Sequence, residues 1–76
     1  MRTDGAVLSD VNFDILTALQ SKLEAIAAYE VYMDDCEEAG DDACRGLFEE
    51  LKHQDEQQAD RLRSELERLV REGKFR

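Results

Sequence analysis

Two stretches of apolar residues spaced by threes and fours fill most of this chain, and they meet at a single glycine, Gly40. The first runs from about Val11 to Glu38 and carries Ile15, Leu19, Ile26, Tyr29, Met33 and Cys36 on one face. The second carries Cys44, Phe48, Leu51, Ala59, Leu62, Leu66 and Leu69 and ends near Gly73. That period is the period of an α-helix, so the spacing predicts helices over about 11–38 and 41–72. No proline interrupts either stretch. Ser9, Asp10 or Asn12 can cap the first helix and Asp41 or Asp42 the second, because a short polar side chain accepts a bond from an orphaned N–H. Gly40 suits the left-handed residue that ends a helix, whereas Gly46 weakens the second helix by about 1 kcal/mol relative to alanine. So short a connection folds the pair into an antiparallel hairpin, and residues 1–76 read as one all-α domain.

A hairpin cannot cover both of its own stripes. Each helix, at about 1.5 Å per residue, is roughly 40 Å long, and Leu16, Leu23, Val31 and Leu47 widen the apolar surface beyond a two-helix seam. The simplest cover is a second copy, so the expected assembly is a dimer, or a larger even oligomer, in which two hairpins form a four-helix bundle.

Charge narrows the partners. Nineteen acidic residues against ten basic ones give a net charge of -9, which repels nucleic acid and anionic membrane. No apolar run reaches the roughly 18 residues of a membrane span. The N-terminal stretch has acids where a secretory leader has bases, so the expected compartment is the cytoplasm. The distribution is uneven: Asp34 to Asp42 hold six acids and no base, whereas Asp60 to Arg76 hold six bases and four acids. A solvated turn accounts for the acids, and Arg68, Arg71, Lys74 and Arg76 suit the negative end of a helix dipole.

Polar residues inside the stripes are the informative anomalies. At about 100° per residue, Lys22 falls between Leu19 and Ile26, and Asp55 and Gln58 fall between Leu51 and Leu62. Lys22 and Gln58 each lie 18 residues from Gly40 and Asp55 lies 15 away, so all three share one level of the hairpin. Glu50-Leu51-Lys52-His53 has the Glu-x-x-His spacing of a metal motif, but His53 lies about 160° from Asp55 and points to solvent. Cys36 and Cys44 flank Gly40 on inward faces; a disulfide stapling the turn and a pair of free thiols both fit. Their spacing is not that of a zinc site or a Cys-x-x-Cys redox pair.

From Leu19 to Leu66 the chain resembles ferritin-like carboxylate proteins of the rubrerythrin and encapsulated-ferritin type. Those proteins carry a Glu seven residues before a Tyr on one helix and Glu-x-x-His-Ala on the next. Here Tyr29 stands in the Tyr place, Glu38-Ala39-Gly40 forms the turn, Phe48 and Glu50 lead the second helix, and Ala59 follows the motif. The resemblance implies a ferritin-like bundle and, in the family, iron as cofactor and an encapsulating shell as partner. At the ligand places the chain departs, with Lys22, Asp55 and Gln58 where Glu, Glu and His are expected. A lysine offers no lone pair, an amide is a weak ligand, and aspartate is a methylene shorter than glutamate. The expectation is an ion pair with amide hydrogen bonds in place of a metal centre, no catalytic residue, no cofactor, and a structural or interaction role. The other reading of the pair is that Lys22 snorkels to water beside a partly exposed Asp55. The competing function is an iron-binding ferroxidase or store that uses Asp55, Glu24 or Glu30 as surrogate ligands, although the two glutamates lie on opposite flanks of the stripe.

Overall fold

The computed structural model describes residues 8–76, and among them every regular element is helical. The expectation about a leader rests largely on residues 1–7, which lie outside the described residues. Helix α1 spans Asp10–Ala39 and helix α2 spans Asp42–Arg71. The two pack along their lengths as an antiparallel hairpin measuring 51 × 23 × 11 Å. No described helix is long and apolar enough to cross a membrane.

Local chemistry sets each boundary. Ser9 caps α1, its side chain accepting from the Asn12 N–H at 3.3 Å. Gly40, at φ 69°, ends α1 in the left-handed conformation. Its N–H donates to the Glu37 carbonyl at 3.1 Å, and the Asp41 N–H reaches back to Cys36 at 2.9 Å, so two orphaned carbonyls are satisfied. Asp41 then caps α2 by accepting from the Cys44 N–H at 3.0 Å. Gly73, at φ 70°, repeats the device after α2, with Gly73 donating to Val70 at 3.1 Å and Lys74 to Leu69 at 2.8 Å. Helix α2 runs through Gly46, where an added Cβ would meet nothing within 4 Å.

The seam follows a four-three alternation. On α1 it passes through Asn12, Ile15, Leu19, Lys22, Ile26, Tyr29, Met33 and Cys36, all buried or half-buried. On α2 Phe48, Lys52, Asp55, Ala59, Leu62, Leu66 and Leu69 do the same. Met33, Cys36, Ala59 and Leu69 are the buried core, and Val11, Phe13, Leu23, Val31, Tyr32, Leu47 and Val70 stay exposed. Beyond Gly73 the chain turns back onto the start of α1. Asn12, fully buried, donates through Nδ2 to the Lys74 carbonyl at 3.0 Å and to the Arg76 carbonyl at 3.1 Å, and the Ser9 N–H donates to the same Arg76 oxygen at 2.6 Å. Among the described residues the Asn12 Oδ1 has no donor.

Candidate functional site

At mid-length the seam turns polar. Lys22 comes from α1 and Asp55 from α2, each occupying a seam position by its four-three spacing, and Lys22 Nζ lies 3.3 Å from Asp55 Oδ1. The Asp55 side chain is 16% exposed and that of Lys22 34%, so the carboxylate sits in the seam while the ammonium reaches water. The two expectations for the pair therefore each hold one half of the arrangement: the ion pair forms, and the lysine also snorkels.

Gln58 corrects the expectation of a three-residue network. It is exposed, and among the described residues no hydrogen bond joins it to Lys22 or Asp55. Ala59, one residue on, takes the buried place because the four-three spacing from Asp55 lands there. Gln58 instead lines one wall of an open groove whose other members include Ile15, Lys22 and Leu62.

Among the described residues no group of three His, Cys, Asp or Glu side chains converges as a metal would need. Asp55 is already engaged by an ammonium, which repels a cation from that point. Glu24 is exposed and accepts from Gln20 Nε2 at 3.0 Å. Glu30 pairs across the seam with Lys52. These donors do not fit a di-iron centre. His53 is 70% exposed, with Glu56 at 4.0 Å as its nearest acid.

Toward the turn the seam becomes aromatic. Tyr29 and Tyr32 from α1 and Phe48 from α2 form a cluster with ring centroids 5.4 to 6.0 Å apart. Arg45 closes the end, donating to Glu37 of α1 at 2.6 Å and to Glu49 at 2.9 Å. These contacts hold the Arg45 guanidinium above its usual value. Glu30, through its hydrogen bond, does the same for the Lys52 ammonium.

Both cysteines are free thiols. Cys36 is buried but Cys44 is exposed, which corrects its expected inward position: it lies in the first turn of α2, on the flank of the seam, and shares a groove with Cys36, Tyr32 and Phe48. A helix N-terminus ordinarily lowers a thiol pKa. Here Asp41 reverses that, since its carboxylate hydrogen-bonds the Cys44 thiol and pushes it up, while the bond from the Cys44 N–H draws the Asp41 carboxyl down.

The chain matches no protein-family model, no curated protein and no solved structure.

Proposed function

We propose that this chain is a non-catalytic, self-associating helical module of ferritin-like type, in which a Lys22–Asp55 ion pair stands where related bundles hold two metal ions. One observation carries the reading: the level of the hairpin where carboxylates and imidazoles would converge is occupied by an ammonium 3.3 Å from the one seam carboxylate. The sum of charge at that level is already zero, so no cation is needed to neutralise it. Exposed Tyr32 and Leu47 support self-association, because they extend the apolar surface past what the hairpin covers. The acidic surface fits a protein partner, another copy or an enclosing shell, better than nucleic acid or membrane. A cytoplasmic location accords with this reading.

The competing function, an iron-binding ferroxidase or store, is separated from it by Fe(II) titration. Wild type is expected to take up no stoichiometric iron at this level. A triple variant, Lys22→Glu, Asp55→Glu and Gln58→His, would offer four carboxylates and two imidazoles per dimer, and is expected to lose stability without metal and recover it as Fe(II) binds the folded state. Stoichiometric iron bound by wild type, and lost on Asp55→Asn, would overturn the non-metal reading.

A further inference from the structure

We propose that the second copy docks on the flank bearing Lys22, Tyr32, Leu47 and Gln58, with its long axis reversed so that each acidic turn lies against the other copy's basic tail. This rests on the self-association proposed above and adds a face and an orientation to it.

The two flanks of the seam differ in what α2 presents. On one flank, four-three spacing places Leu47, Leu51, Gln54 and Gln58 beside the seam, four uncharged residues over three turns. Facing them from α1 are Ala18, Ala25 and Tyr32, two of them small enough for close helix approach. Leu47 is 52% exposed and Tyr32 44%. Grooves on this flank run from Tyr32, Cys44 and Phe48 near the turn to Ile15, Lys22 and Leu62 beyond mid-length. On the opposite flank α1 offers Phe13, Leu16 and Leu23, but α2 offers Glu56, Asp60 and Arg63 around a groove floored by Leu19, Ile26 and Ala59. Stacking that flank on itself brings the charged rows of two α2 helices together. Arg63 does not offset them, because Asp60 and Glu67 already engage it. Toward the tail the uncharged row continues through Arg61 and Glu65, and Asp35 and Asp41 line the groove near the turn, so a second copy covers this flank without stranding charge when the acids near one turn face the other copy's Arg61.

Charge along the hairpin fixes the direction. The turn holds six acids between Asp34 and Asp42, and its nearest base, Arg45, is already shared by Glu37 and Glu49. The other end carries six bases from Arg61 to Arg76 against Glu65, Glu67 and Glu72 and, from the start of α1, Asp10 and Asp14; Arg63, Arg68 and Lys74 are engaged by nearby acids, and the end keeps a small positive excess. Two copies with turns together would place both acidic ends side by side; reversal sets each against a basic end.

Reversal also completes the polar level. Lys22 and Gln58 lie 18 residues from Gly40, just past the middle of 30-residue helices, so a two-fold axis crossing the hairpins passes close to them. Among the described residues Lys22 uses one of its three donors, on Asp55 within the hairpin, and Gln58 uses none. Across the axis the second copy's Asp55 and Gln58 come within their reach, giving four alternating charges in place of two.

A chain carrying Cys36→Ala, Cys44→Ser and Glu38→Cys, spin-labelled at the outward-facing position 38, reads the orientation. The label-to-label distance is expected to be about 40 Å, set by the rise of about 1.5 Å per residue over the helix length. In the unlabelled wild-type background, Leu47→Asp is expected to dissociate the dimer and Leu23→Asp to leave it intact, with sedimentation as the readout. A labelled dimer with turns within about 20 Å of each other, or one lost through Leu23→Asp and kept through Leu47→Asp, overturns the face and orientation alone. A folded monomer for wild type overturns the self-association beneath them.

Discussion

Around the turn, α1 and α2 meet through Tyr29, Tyr32, Phe48, Met33 and Cys36; at mid-length they meet through Lys22, Asp55 and Ala59. The first layer is apolar and tolerant of small shifts, because burial depends on area and hardly on angle. The second is directional, since an ammonium and a carboxylate gain from one another only at one relative height of the helices. The turn layer thus stabilises through buried area, and the mid-length layer fixes the level at which the helices register. At the mid-length layer Lys22 has ammonium donors beyond the one on Asp55, and among the described residues Gln58 has no hydrogen bond, so this layer has charge-assisted contacts to offer a second copy.

The largest expected effect lies in the turn layer. Phe48→Ala removes the one ring that α2 contributes to the cluster and is expected to lower stability by about 3 kcal/mol, at the low end for a large aromatic because Phe48 is half-buried; a melt unchanged within about 0.5 kcal/mol would mean the rings do not carry the turn. At mid-length, Asp55→Leu alone is expected to cost about 2 kcal/mol by leaving Lys22 beside an apolar seam, less than for a fully buried pair because water reaches the lysine. Lys22→Met with Asp55→Leu should recover most of that loss in denaturant melts, and additive single effects would show that the two are not coupled.

A smaller change strengthens the turn layer. Gly46→Ala meets no neighbouring atom, and should raise stability by about 0.5 to 1 kcal/mol through the lower entropy of the unfolded chain. The smallest test concerns chemistry and leaves the fold alone. Asp41→Asn keeps a good helix cap but removes the charge that holds the Cys44 thiol protonated, so alkylation of Cys44 near neutral pH should quicken several-fold. An unchanged rate would assign the slow thiol to its surroundings and clear the carboxylate.

The helix ends were legible because each is written in a residue with one local use: Ser9 and Asp41 as caps, Gly40 and Gly73 as left-handed stops. The Lys22–Asp55 pairing was legible because two opposite charges interrupt two apolar stripes at one level. Gln58 was not, because at about 100° per residue it points between Leu51 and Leu62 and so lies within the apolar stripe, whereas the seam runs through Ala59 and leaves Gln58 on its flank beside Leu51. Asn12 was read only as a candidate cap, yet it holds the tail; carrying the four-three spacing back from Leu19 and Ile15 lands on it and would have placed a polar residue in the core. The same spacing counted back from Ala59 reaches Lys52 and then Arg45, the two bases that bridge to Glu30 and Glu37, which a search for apolar residues passes over.

The mass of the folded chain in solution tests the central claim most directly. Sedimentation equilibrium of wild type at micromolar concentration, with helicity followed on the same samples, is predicted to give at least twice the 8.7 kDa chain mass. A fully helical species at 8.7 kDa that persists up to about 100 μM, where a dissociation constant weaker than that would be worth under about 6 kcal/mol, would contradict it.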